Sequence, residues 1–252
     1  VRPEVQVTVV TGASSGIGRS LALRLARQRG AIALLARRAA LLEALAEEIA
    51  AAGGRALAVP CDVTDPAQVR AAFARVADRL GPVDRLVANA GGGEKSYVDS
   101  FSAAQIERTL ALNVGGTASC IEAVLPGMLA RGHGHLVATS SMAAARGLPN
   151  AAAYSAAKAA LSRMMESLRI ELRPRGIDVT LIHPGFVRKP GRKRKPLQIE
   201  LEAATERMCR AIVARRADDS FPLAPLLLTA LGRNLPARLY DRLMLSRVRR
   251  QP

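Results

Sequence analysis

The chain has no tryptophan, and its 252 residues hold only four phenylalanines and three tyrosines. That leaves no ring platform on which the bases of a single strand would stack. No basic recognition helix of a known binding module stands in for them. The net charge of +16 therefore does not read as nucleic-acid binding. Cys61, Cys120 and Cys209 are odd in number, far apart and form no CxxC pair. His133, His135 and His183 lack ligand spacing too, so no metal centre is expected. Buried apolar thiols in a reducing cytoplasm account for the cysteines, and HGH at 133–135 reads as a polar turn ahead of a strand. No apolar run reaches the roughly 18 residues a bilayer span needs. The opening VRPEVQVTVVTGAS enters a strand at once and lacks the layout of a secretory signal. A cytoplasmic chain is the expectation.

Apolar residues are well supplied, at 49%, enough for a packed core. Runs rich in Val, Ile, Leu and Ala at 5–10, 31–36, 55–63, 84–91, 135–141 and 177–185 alternate with helical stretches at 20–29, 41–52, 67–80, 102–112, 114–130 and 152–173. The runs show little alternation of polar and apolar residues, as expected of strands covered by helices on both faces. Strand–helix alternation predicts βαβ units, a mostly parallel sheet and a doubly wound α/β fold. There is no internal repeat and no linker. Residues 1–252 are therefore expected to form one domain, a core over 5–188 followed by a basic loop and a helical extension over 189–252. Positive charge gathers in that extension. Residues 1–187 hold 21 Lys and Arg against 15 Asp and Glu, a net of +6, whereas 188–252 hold 16 against 6, a net of +10. This bias suits an anionic substrate or an anionic membrane surface. It also follows from plain arginine enrichment in an Ala/Arg/Leu-rich chain.

TGASSGIG, residues 11–18, stands directly after the first strand and opens a helix. Gly12 permits a tight turn, Gly16 lets backbone approach a pyrophosphate, and Gly18 lets the helix pack on the sheet. The helix start around Ile17 presents N–H groups and partial positive charge to an anion, and Ser14 and Ser15 add hydroxyl donors. At the end of the second strand, where a carboxylate would bind the ribose 2′-hydroxyl of NAD, the residues are Ala36-Arg37-Arg38. Arginine forks onto a 2′-phosphate, so the text reads NADP(H). A solvated charge pair starting a helix is the alternative. Farther on, YSAAK at 154–158 sets Tyr154 and Lys158 four residues apart, on one face of a helix.

Together, TGASSGIG, CDV at 61–63, NAG at 89–91, Asn113 in LNVGG, Ser141, YSAAK and PG at 184–185 resemble the short-chain dehydrogenase/reductase family, single-domain type. The spacing agrees: Ser141 precedes Tyr154 by 13 residues and Asn113 by 41. The resemblance covers about 5–188 and implies a Rossmann fold and an oxidoreductase using Asn113, Ser141, Tyr154 and Lys158. By that resemblance, Tyr154 exchanges a proton with the substrate oxygen and Ser141 hydrogen-bonds it. Lys158 holds the nicotinamide ribose, and Asn113 keeps a relay water in line with Lys158. Asp62 and Val63 would meet the adenine, and Asn89, Ala90 and Gly91 would line the cofactor. Pro184, Gly185 and Val187 would pack on the nicotinamide side. A free tyrosine titrates near 10. A lysine on the same face, with an oxidised nicotinamide, is expected to bring it down by about three units, roughly 4 kcal/mol.

The sequence departs from the family in two places. PGFVRK puts Lys189 where the family often has threonine, and GRKRK at 191–195 sits where a mobile substrate lid begins. Such a loop fits an anionic substrate group or plain solvation. The tail from Phe221 onward has an apolar run at 223–231 among arginines. It is compatible with peripheral contact to an anionic membrane, with covering the cleft, or with a dimer interface. The expected activity is reduction of a hydrophobic or acyl-linked carbonyl by NADPH, or the reverse oxidation of the alcohol. A 3-oxoacyl thioester or a 3-ketosphinganine-like lipid is an alternative substrate. A cofactor-binding regulator or membrane-peripheral scaffold is the rival from another class. The family implies a homodimer or homotetramer.

Overall fold

In the computed structural model the apolar runs form a seven-stranded sheet: β1 (Val7–Thr11), β2 (Ala31–Ala36), β3 (Arg55–Pro60), β4 (Arg85–Ala88), β5 (Gly134–Thr139), β6 (Ile177–Pro184) and β7 (Asp218–Phe221). The structure describes residues 6–188, 191, 197–223, 231–232, 234–245 and 248. Strand order is β3-β2-β1-β4-β5-β6-β7, with all neighbours parallel. The order reverses between β1 and β4. A doubly wound sheet takes its ligand in the crevice beyond the strand ends at such a reversal.

The described helices are α1 (Gly16–Leu25), α2 (Ala39–Ala51), α3 (Pro66–Leu80), α4 (Ala103–Leu110), α5 (Gly116–Arg131), α6 (Ala152–Leu172), α7 (Leu201–Val213) and α8 (Ala237–Leu245). They cover both faces, which is why β1 and β2 are buried at every residue. One core packs Phe73 and Val76 of α3, Ile121 of α5 and Leu161 of α6 under the sheet. The other packs Leu21 of α1, Leu45 of α2 and Met208 of α7 on the opposite side. Local chemistry sets the ends. Asp65 caps α3 by accepting from the amides of Ala67 and Gln68, with Pro66 in the first turn. Gly132 closes α5 at φ 67°, in the left-handed region. Between α4 and α5 the chain takes one π-helical turn over Ala111–Gly115.

Several boundaries differ from the sequence-based expectation. The third strand stops at Pro60, the fourth at Ala88 and the fifth at Thr139. The residues after each strand end leave the sheet to build the crevice. β7 was not expected, because DDSF is short and half acidic. It forms because Asp219 is held by Arg207 at 2.9 and 3.0 Å while Phe221 is fully buried. HGH is not simply a polar turn: His135 lies within β5 and is fully buried. Its Nδ1 accepts from Arg85 Nε at 3.3 Å, and its Nε2 meets Thr180 Oγ1 at 2.8 Å. Cys61 and Cys120 are buried and Cys209 is half-buried. Among the described residues no helix is long and apolar enough to cross a membrane. Lys189, residues 192–195 of the basic loop and residues 224–230 of the tail lie outside the described residues.

Candidate active site

The glycine turn follows from β1 and α1. Gly12 sits at φ 68°, and a Cβ there would lie 2.9 Å from Ala90 Cα. A Cβ on Gly18 would fall 2.2 Å from the Gly12 carbonyl oxygen. Only glycine closes the turn at either position. Gly16, at φ 55°, has nothing within 4 Å of its would-be Cβ and faces open space. Ser15 makes no side-chain cap on α1, and no acidic residue occupies the first turn. The helix start is thus left positive toward the crevice, which suits a pyrophosphate.

Arg38, at the end of β2, reaches back over this turn. Its guanidinium donates to Ser14 Oγ at 2.8 and 3.2 Å and to Ser15 Oγ at 2.7 Å. Arg37 points outward, 78% exposed, with Nη1 3.9 Å from Asp62 Oδ2. Asp62 also folds its own loop, accepting from the Thr64 amide at 3.0 Å and hydroxyl at 2.8 Å. After β4, the amides of Asn89 and Ala90 donate to Thr11 Oγ1 at 3.0 and 2.9 Å, and Asn89 Nδ2 donates to the Thr11 carbonyl. These bonds pin the β4 exit onto the β1 exit. Thr11 was quoted in the glycine motif but not singled out. A polar residue ending an apolar strand was its only signal.

Ser141, Tyr154 and Lys158 meet at the other end of the crevice. Ser141 follows β5, and Tyr154 and Lys158 lie one turn apart on α6. Ser141 hydrogen-bonds the Tyr154 phenol, which favours the phenolate, but burial acts more strongly and pushes the phenol above its ordinary value. The expected downward pull by Lys158 is absent from the protein alone. The Lys158 ammonium stands 5.8 Å from the Tyr154 ring centre and donates instead to the Thr139 carbonyl at 2.8 Å. Only 3% of Lys158 is exposed, and burial holds its ammonium down at about 8. Asn113, fully buried in the π-helical turn, spends its amide on backbone. It donates to the carbonyls of Gly92 at 2.7 Å and Thr109 at 2.8 Å, and accepts from the Gly92 amide at 3.2 Å. A Cβ on Gly91 would lie 2.7 Å from Asn113 Oδ1 and 3.1 Å from Lys158 Nζ, so Gly91 is what separates the two.

Most of these parts line one open cleft of about 460 Å³. Gly12, Ser14, Ser15, Gly16, Ile17, Gly18, Arg37, Arg38, Asp62, Val63, Asn89, Ala90, Gly91, Ser141, Tyr154, Lys158, Pro184, Gly185 and Val187 are on its wall. Asn113 alone among the expected residues lies behind the wall. Gly92, Arg188 and Leu201 also line it and were not anticipated. The cleft has donors at the glycine turn and a proton-carrying group, Tyr154, on the same wall. That arrangement fits an extended nucleotide whose reactive ring lies near Tyr154.

Comparison with known proteins agrees with this geometry. The sequence profile of the family described as short chain dehydrogenase matches residues 6–199. An uncharacterized oxidoreductase of Myxococcus xanthus (strain DK1622) is 40% identical over 240 residues, 94% of this chain and 95% of that protein. Among solved structures, a 3-ketoacyl-ACP reductase from Sinorhizobium meliloti 1021 superposes with a TM-score of 0.80 at 30% identity, over 88% of this chain and 99% of its own. An alcohol dehydrogenase from the archaeon Thermococcus sibiricus, complexed with 5-hydroxy-NADP, gives 0.79 at 28% identity, over 86% and 95%.

Proposed function

This chain belongs to the short-chain dehydrogenase family, and on that premise we propose that it is an NADPH-dependent oxidoreductase acting on a carbonyl or its alcohol. The observation that carries the reading is the single cleft that joins the glycine turn to Ser141, Tyr154 and Lys158. When bound, the nicotinamide supplies or accepts the hydride. The chain provides position and the proton. Tyr154 gives its phenolic proton to the carbonyl oxygen in reduction and takes it back in oxidation. Ser141 donates to the same oxygen. Burial holds the Tyr154 phenol above its ordinary value in the protein alone, so bringing it into range for proton exchange falls to Lys158 and the charge of the bound oxidised nicotinamide. Lys158 holds the ribose and adds positive charge. Asn113 stiffens the turn behind Gly91 and Gly92, and a water on it would connect Lys158 to solvent.

Preference for NADPH rests on Arg38. Its guanidinium already lies across Ser14 and Ser15, and no carboxylate follows β2 to repel a 2′-phosphate. For the substrate we propose a hydrophobic carbonyl, because Phe186 and Leu223, 58% and 65% exposed, follow Gly185 of the cleft wall and Pro222, which packs against it. A 3-oxoacyl thioester is the second reading, favoured by the likeness to the Sinorhizobium reductase. The whole chain would act as one dinucleotide-binding domain, in a cytoplasmic homo-oligomer.

The test is a fluorescence titration with NADPH and NADH, followed by turnover on medium-chain aldehydes, aromatic ketones, 3-oxoacyl thioesters and 3-ketosphinganine. Tighter NADPH binding with turnover is the expected result. Binding of neither cofactor would overturn the reading.

A further inference from the structure

Ser141 and Tyr154 are joined by a loop whose two ends are held by the core. The Ser141 carbonyl accepts from His183 Nδ1 at 3.3 Å, and the Asn150 carbonyl accepts from the Ser96 amide at 3.0 Å. Between them, a 3-10 turn at Met142–Ala144 is capped by Ser141 itself, whose Oγ accepts from the Ala143 amide at 3.1 Å. The middle of the loop is tied elsewhere. Arg146 Nη1 donates to the carbonyls of Gly232 and, at 2.8 Å, Leu235. Its guanidinium lies 3.9 Å above the Tyr240 ring. Tyr240 Oη in turn donates to the Gly147 carbonyl at 2.7 Å. Tyr240 is the buried residue of α8, at 8% exposure, while Leu239 and Leu243 remain half exposed.

This is a reciprocal clamp. The loop offers a cation and a carbonyl, and the tail offers two carbonyls, a ring and a hydroxyl. These three hydrogen bonds tie residues 142–149 to a distant segment. The cation over the aromatic face and the three hydrogen bonds act together on one stretch of loop. Such a clamp orders a loop only while the tail is docked.

We infer that Arg146 is a positioning residue, and that the stretch bearing Gly232, Leu235 and Tyr240, docked through Arg146 and Tyr240, completes the active site by fixing the loop between Ser141 and Tyr154. The inference rests on the proposed roles of those two residues. It makes the tail a working part of the substrate end of the cleft. Cofactor binding at the glycine turn, on the far side of Tyr154, is independent of it. A displacement of about 1 Å at a reacting group costs on the order of 10²-fold in rate. A loosened loop therefore lowers turnover while leaving NADPH affinity in place.

The test compares full-length wild type with Arg146→Ala and Tyr240→Phe by hydrogen–deuterium exchange without substrate, then by NADPH titration and steady-state kinetics. Exchange over 142–150 and over 231–245 should rise together in Arg146→Ala, and less in Tyr240→Phe. kcat should fall about tenfold or more in Arg146→Ala, with the NADPH Kd within about twofold of wild type. Unchanged exchange over 142–150 would overturn the inference, as would faster exchange there with unaltered kcat. Should Arg146→Ala lose protection throughout the chain, Tyr240→Phe decides, because it keeps the ring and removes only the bond to Gly147. Exchange is read without substrate, so a wild type inactive on every carbonyl tried would count against the oxidoreductase reading and leave the loop result standing.

Discussion

Lys158 is a buried cation, and its replacement by methionine should uncouple stability from activity. An ammonium held at about 8 rather than at its ordinary 10.5 costs the fold about 3 kcal/mol at pH 7. With 3% of the residue exposed, solvent screening removes little of this. Lys158→Met relieves that cost but leaves the Thr139 carbonyl without its donor at 2.8 Å, a loss of about 1–3 kcal/mol. The variant should therefore be as stable as wild type at pH 7, or more stable by about 1 kcal/mol, while turning nothing over. The pH dependence is the sharper reading. The folded value lies below the unfolded one, so between about 8 and 10.5 the unfolded chain binds the extra proton. Wild-type stability gains from this group as pH rises through that window, and the variant lacks the gain. Urea unfolding of both proteins near pH 7 and pH 9.5 should show wild type gaining about 2 kcal/mol relative to Lys158→Met. Parallel stability curves would refute the assignment of a depressed, buried ammonium at this position.

Tyr154→Phe should reduce kcat by at least about a thousandfold and leave the NADPH Kd nearly unchanged, as a group that acts on the proton and not on cofactor binding must. Retained turnover would remove Tyr154 from the chemistry. Arg37→Ala with Arg38→Ala should weaken NADPH about tenfold or more and leave NADH within about twofold, read by the same fluorescence titration. Equal losses for both cofactors would move the arginines from 2′-phosphate recognition to folding of the glycine turn. Asn113→Ala removes three hydrogen bonds to backbone, two to half-buried Gly92 and one to buried Thr109, and should cost about 2–4 kcal/mol. An unchanged thermal midpoint would mean that Gly92 and Thr109 find other partners.

The parts of the fold most legible in the sequence were those where apolar content and glycine placement coincide. β1 and β2 read as strands because every one of their residues is buried, and TGASSGIG read as a turn because Gly12 and Gly18 have no room for a Cβ. Which residues gather around the cleft was legible as well, since nearly every expected residue lies on its wall. What stayed hidden depends on distant partners. β7 needs Arg207 to accept its acidic face, and His135 needs Arg85 and Thr180 to be tolerated inside β5. The direction of the Tyr154 shift could not be read from the Tyr-x-x-x-Lys spacing. Spacing puts two side chains on one face, but burial, and the Thr139 carbonyl that Lys158 prefers, are tertiary facts. The clamp between Arg146 and Tyr240 joins residues 94 positions apart and carries no local pattern at all.

The π-helical turn at Ala111–Gly115 is a local insertion that leaves the flanking helices in line. It amounts to one residue more than an α-helix would use over the same span. Removing one residue would therefore let Ala103–Arg131 close into a continuous α-helix with α4 and α5 close to their present orientation. α4 would keep its packing on α6, which carries Tyr154 and Lys158, and α5 its packing with α3. What the deletion takes away is the widened turn from which Asn113 reaches the Gly92 and Thr109 carbonyls. The extra residue is a separable part: it aims one buried amide, and it can be removed without moving the helix that bears Tyr154.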